Sequence, residues 1–270
     1  MNFILKCTYI LVAICFYVEG YYQTWSCSEP KISPIDIITR NTVYDSNLPA
    51  YRIIAKRSCN RFILRAGAFR DLSMECAIGN LGLEGTATDF YGPNFYFAYS
   101  LNSTVLGSNH AVDGVKHVGE IIFYYGDESL SVLLNEVPNS DTTFFSRVFP
   151  TMTGSIDPNA YPIRANTDPG NETLAKIQEY FDFSKYYIYD GSNVLTSCGA
   201  LKTIVSAKPL NITTDQLAFI RTFSYPEPNM FRPLQNNTNI VVKRNFQFPT
   251  TTTVAANTTT VAANTTTVAA

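Results

Sequence analysis

The chain has 270 residues and a formal net charge of −2, and 16% of its residues are charged. That balance provides neither the basic footprint of a nucleic-acid binder nor the acidic block of a mineral- or cation-binding segment. The length is enough for one large domain or two small ones and for a substantial core. The 17 Tyr and 18 Phe favour a core built on sheet. Only two histidines occur, His110 and His117, which restricts any histidine-based metal or acid–base site from the outset.

Residues 1–20 read as a cleaved secretory signal. Lys6 precedes an apolar run from Cys7 to Val18 that ends in Val18-Glu19-Gly20 and is too short to span a bilayer. The alternative is a retained N-terminal anchor. Cleavage near Gly20 leaves Tyr21 as the mature start and predicts a secreted, extracellular product with no transmembrane segment. The mature chain then keeps Cys27, Cys59, Cys76 and Cys198. In an oxidising compartment this even count predicts two disulfides, with three pairings open. No CxxC spacing suggests a zinc ribbon or redox motif. Sequons at Asn102, Asn171, Asn211, Asn236, Asn257 and Asn264 predict N-glycosylation.

Residues 21–248 are expected to form one mainly β (α+β) domain. Phe62–Leu64, Leu72–Cys76, Phe95–Ser100, Glu120–Tyr125, Ser129–Leu134 and Lys202–Ser206 are short runs rich in aromatic and β-branched residues, and they predict strands. Gly92-Pro93 punctuates the third of these and Gly126-Asp127 the fourth, while Gly107–Asp113 between them reads as a polar, turn-forming connection. Helices are predicted over Asn171–Tyr180 and Thr214–Thr222, the second opened by the hydroxyl and early acid of Thr213-Thr214-Asp215-Gln216. Residues 249–270 carry a repeat whose unit, Thr251–Asn257, returns at 258–264. Threonine with one Val per repeat supplies no coiled-coil seam and too little apolar surface to offset ordering entropy, so the tail is expected to be disordered. In a secreted chain it is a candidate O-glycan stalk, the alternative being a repeat expansion without a role. It lacks the continuous hydrophobic end of a GPI signal.

Six stretches, in order, resemble motifs of the alpha-class carbonic anhydrase family. Ser33-Pro34-Ile35-Asp36-Ile37 resembles Q-S-P-I/V-D/N-I, and Phe95 to Ser100 resembles F-H-F-H-W-G. Gly107-Ser108-Asn109-His110-Ala111-Val112-Asp113 resembles G-S-E-H-T-V/I-D, and Glu120-Ile121-Ile122 resembles E-L-H. Tyr189-Asp190-Gly191-Ser192 with Cys198 resembles Y-P-G-S-L-T-T-P-P-C, and Asn229–Gln235 resembles N-x-R-P-x-Q with one insertion. The resemblance implies a large twisted, mostly antiparallel central sheet with short flanking helices.

It also implies a zinc site, and there the chain departs. A catalytic zinc needs three protein ligands and one open position. The family takes two histidines from one strand at i and i+2 and a third from its neighbour. Those positions hold Tyr96, Ala98 and Ile122 here. Two histidines in the whole chain cannot restore three in any register, and His110 matches a structural histidine of the family. His117 reads as a surface residue; a site using both histidines with a carboxylate, or one built on cysteines, is the metal alternative, although the cysteines are better explained as disulfides. Glu120 matches the carboxylate that orients a zinc-bound histidine and is expected to need another buried partner. The hydroxyl that orients zinc-bound hydroxide maps to Val194, its neighbour to Leu195, and the proton-shuttling histidine falls near Ala68.

The resemblance implies a disulfide between Cys27 and Cys198, worth about 5 kcal/mol on the chain-entropy estimate. That leaves Cys59 with Cys76 across a hairpin expected to turn at Arg65-Ala66-Gly67. The expectation is a protein with no zinc-dependent activity, no metal and no cofactor, serving as an extracellular structural or matrix component, one that could be mineral-associated. The alternative is a recognition module for a glycan, protein or apolar ligand, working through the remodelled cleft or the surface. An enzyme of another class finds no Ser-His-Asp or paired-acid motif to rest on.

Overall fold

The computed structural model describes residues 32–57, 62–66, 72–76, 80–83, 89–91, 94–141, 143–148, 164–167, 180–194, 198–222, 231–236 and 238–249. Its strands form three sheets. A small one joins β1 (Asp36–Ile37), β9 (Ala111–Val112) and β10 (Val115–Lys116). A second runs β14 (Asp182–Phe183), β3 (Tyr51–Arg57), β6 (Asn80–Leu83) and β7 (Asp89–Tyr91).

The third has eleven strands and carries the site. From one edge it runs β13 (Arg164–Thr167), β4 (Phe62–Ala66), β5 (Leu72–Cys76), β8 (Asn94–Tyr99) and β11 (Gly119–Tyr125). It continues through β12 (Glu128–Val137), β16 (Ala200–Ser206), β15 (Tyr186–Ser192), β18 (Lys243–Arg244) and β2 (Val43–Tyr44), with β17 (Leu210–Thr213) paired beside β12. Most of its ladders are antiparallel, while β12 runs parallel to both β16 and β17 and β18 parallel to β2. The architecture is mainly β, with a large mixed sheet.

Period-2 alternation divides the side chains of the central strands between two faces. Phe95, Phe97 and Tyr99 on β8, Ile121 and Phe123 on β11, and Leu130, Val132 and Leu134 on β12 enter one buried cluster. Phe144 and Phe145 join it next to helix α1 (Phe145–Val148), as do Leu217 and Ile220 of helix α2 (Thr214–Thr222). A smaller cluster on the opposite face gathers Leu133, Tyr187, Tyr189 and Val205 with Ile35 and Ile37. Tyr96, Ala98, Glu120 and Ile122 share that second face, since Glu120 lies opposite Ala98 on one side and Leu133 on the other.

Every predicted strand with described residues is present, and α2 occupies the predicted Thr214–Thr222. At its start, Gln216 N–H donates to Thr213 Oγ1 at 3.3 Å and Thr213 N–H to Gln216 Oε1 at 3.0 Å, a reciprocal capping box. Of the helix predicted over Asn171–Tyr180, only Tyr180 is among the described residues, and it is helical. Two expectations need correction. The hairpin of β4 and β5 does not turn at Arg65-Ala66-Gly67, because Arg65 and Ala66 are still paired strand residues, opposite Ser73 and Leu72. The Gly107–Asp113 connection is not all turn: Ala111–Val112 pairs with β1 on one side and β10 on the other. The turn between β9 and β10 is Asp113-Gly114, with φ of 50° and 79°, the left-handed pair that a two-residue hairpin loop requires.

Candidate functional site

The register of β8 against β11 fixes the geometry. Tyr96 lies opposite Ile122 and Ala98 opposite Glu120, so all four share one face of the sheet. Ala98 and Ile122 are buried at 3% and 1% exposure, as is Val194 at 8%, whereas Tyr96 is half-buried. As a donor set, Tyr96, Ala98 and Ile122 thus offer one phenol, one methyl group and one branched alkyl chain. This set does not fit a zinc ion, which requires three nitrogen, sulfur or oxygen ligands. Among the described residues no three His, Cys, Asp or Glu side chains converge as a metal site.

Tyr124 continues the alternation two residues beyond Ile122. Its ring meets that of Tyr96 edge-on, with centroids 5.8 Å apart and planes at 67°, a favourable arrangement for two aromatic quadrupoles. The Tyr124 hydroxyl donates to Asn193 Oδ1 at 3.2 Å, beside Val194. Burial pushes its phenol well above the usual tyrosine range. Tyr124 was not among the residues expected from sequence, although the i+2 step from Ile122 marks it as site-facing. Arg232, in the N-x-R-P-x-Q-like segment, is the second such residue. Its N–H donates to Asn109 Oδ1 at 2.8 Å and its Nη1 to the Asn193 carbonyl at 3.1 Å, tying that segment to the loop after β15.

Glu120 has found its partner in His110. Its Oε2 accepts the His110 backbone N–H at 2.8 Å, and its Oε1 lies 2.7 Å from His110 Nδ1. Both side chains are essentially inaccessible, at 0% and 1%. A carboxylate can only accept, so the His110 Nδ1–H donates to it, while Nε2 lies 2.7 Å from the Tyr189 hydroxyl. Tyr189 in turn lies 2.8 Å from Ser33 Oγ, which also accepts the Ser192 N–H at 2.9 Å. Burial alone would raise the Glu120 carboxyl, but the charge and hydrogen bonds of His110 outweigh it and hold the group below the usual carboxylate range. The backbone must pass close to this network at Gly191, where a Cβ would collide with Ser33 Oγ and Thr203 Oγ1. His117 lies away from it, with Nδ1 2.6 Å from Asn135 Oδ1 in an exposed setting.

Cys198 is disulfide-bonded and buried at 1% exposure. Cys27 and Cys59 lie outside the described residues, as do Leu195 and Ala68, and of Cys76 only its place on β5 opposite Phe62 is described. Asn102, Asn211 and Asn236 are exposed. Asn102 Oδ1 accepts both the N–H and the hydroxyl of Thr104, its sequon threonine, at 3.0 and 2.8 Å. Asn171, Asn257 and Asn264 fall outside the described residues. Among the described residues no helix is long and apolar enough to cross a membrane.

A large mixed sheet with few helices among the described residues defines a mainly β scaffold. The family described as eukaryotic-type carbonic anhydrase matches residues 21–246, and the chain belongs to it. Among curated proteins no match was found.

Proposed function

We propose that this carbonic anhydrase-like domain performs no zinc-dependent CO2 hydration, takes no cofactor, and acts outside the cell as a secreted, glycosylated structural or matrix component. The observation that carries the reading is the face shared by Tyr96, Ala98 and Ile122, where one phenol stands in place of a three-ligand donor set. The mechanism needs a metal-bound water lowered to a pKa near 7, a group to orient it and an exit for the proton. Val194 presents a methyl-bearing side chain where the orienting hydroxyl belongs.

The buried Ala98, Ile122 and Val194 favour a filled floor and a scaffold role. The half-buried Tyr96–Tyr124 pair supports the second reading, a recognition surface for a glycan, protein or apolar ligand. Exposure of Asn102, Asn211 and Asn236 supports glycosylation, which a mobility shift on glycosidase treatment would report. The test of the main reading is zinc content after dialysis, together with CO2 hydration by stopped flow. No zinc and no rate above background are expected; one equivalent of zinc or a measurable rate overturns it.

A further inference from the structure

The guanidinium of Arg232 does more than hold a loop. The same Nη1 that donates to the Asn193 carbonyl at 3.1 Å lies 3.4 Å from Cys198 Sγ, within hydrogen-bond distance of a disulfide sulfur. Cys198 is buried at 1% and Arg232 at 7%, so water screens the contact poorly. A neutral disulfide sulfur is a weak acceptor, while a thiolate there would receive a charge-assisted bond. In thiol–disulfide exchange the sulfur whose thiolate is better stabilised leaves more readily, and stabilising a reduced form makes a disulfide easier to reduce.

We propose that Arg232 makes the Cys198 disulfide a redox-labile link, in which Cys198 is the leaving thiolate and stays docked against the guanidinium after the bond opens. The co-reactant is a low-molecular-weight thiol such as glutathione. Its thiolate attacks the sulfur of the partner cysteine, which the family pairing places at Cys27, and forms a mixed disulfide there. The bond to Cys198 breaks, and its electron pair leaves on Cys198 Sγ beside Arg232. A second glutathione thiolate then displaces the partner sulfur. Two glutathiones end as one oxidised disulfide and the protein disulfide ends as two thiols, so electrons balance. Because Arg232 also holds Asn193 and Asn109, the loop after β15 keeps its seat while its covalent link to the rest of the chain is lost. The inference is independent of whether the domain binds zinc.

The full chain is incubated with limiting glutathione and quenched in acid, free thiols are alkylated, and the adducts are located by peptide mass spectrometry. Glutathione on the partner cysteine and alkylation on Cys198 are expected. Glutathione on Cys198, an equal split, or a disulfide that resists glutathione overturns the proposal. In Arg232→Gln the bias is lost and the midpoint of a glutathione redox titration moves about tenfold toward reducing conditions, whereas Arg232→Lys retains most of it. A folded Arg232→Gln with unchanged bias and midpoint also overturns the proposal. The wild-type adduct map decides the matter even where the variant does not fold.

Discussion

The Glu120 carboxylate grips His110 twice, taking its backbone N–H on one oxygen and lying 2.7 Å from its Nδ1 on the other. Both groups are buried, so removing either charge partner leaves the other uncompensated. Glu120→Gln keeps the shape and loses the charge, and it is expected to cost about 2–4 kcal/mol of stability in urea unfolding. The pH dependence has a fixed sign. The folded carboxyl titrates below its ordinary value of 4.5, so its contribution is fully present above that value and is lost as pH falls through the folded pKa. An acid titration of stability should drop below about pH 4.5 in the wild type and be flatter there in Glu120→Gln. Equal slopes for the two proteins would refute the assignment.

Tyrosines set the alkaline limit. Burial raises the phenols of Tyr99, Tyr124 and Tyr189 above the usual range. A raised folded pKa contributes stability that is present below the unfolded value, and that contribution falls away as pH rises beyond it toward the folded one. Stability should therefore decline above about pH 10. Phenolate absorbance of these groups should appear together with loss of near-ultraviolet dichroism. Ionisation of every tyrosine in a protein that is still folded would contradict this account.

Much of the sheet was legible because its residues obey a simple period. Phe95, Phe97, Ile121 and Phe123 alternate with Tyr96, Ala98, Glu120 and Ile122, and alternation alone assigns the two faces. Tyr124 obeys the same rule, but the family motif ends at Ile122 and does not mark it. The partner of Glu120 was less accessible. His110 is ten positions upstream, and it reaches the carboxylate only because the β9–β10 hairpin folds back through Asp113-Gly114, a long-range pairing that no local period reports. Arg232 was visible as a motif residue, but its hold on Asn109 and Asn193 joins segments 123 and 39 residues away, which only the tertiary structure brings together.

Gly191 tests the close packing around that network. A Cβ there would meet Ser33 Oγ, Thr203 Oγ1 and the Tyr189 ring, all on buried residues with little room to move. Gly191→Ala is expected to destabilise by about 1–3 kcal/mol, since overpacking forces neighbours off their preferred rotamers. Thermal unfolding measures it. An unchanged midpoint would show that the β15 backbone yields more easily than this packing implies.

Rebuilding the metal site tests the register of β8 against β11. Tyr96→His, Ala98→His and Ile122→His together would project three imidazoles from one face, two at i and i+2 and the third directly across from the first. That is the arrangement a tetrahedral zinc requires. Ala98 and Ile122 are buried, so the apo triple variant should lose about 2–5 kcal/mol through overpacking and buried polar groups, and zinc should restore part of the loss. Calorimetry should find one zinc per chain. CO2 hydration should remain slow even in the loaded variant, because Val194 still supplies no hydroxyl to orient a metal-bound hydroxide. If the triple variant folds and fails to bind zinc, these three positions do not converge as the register states.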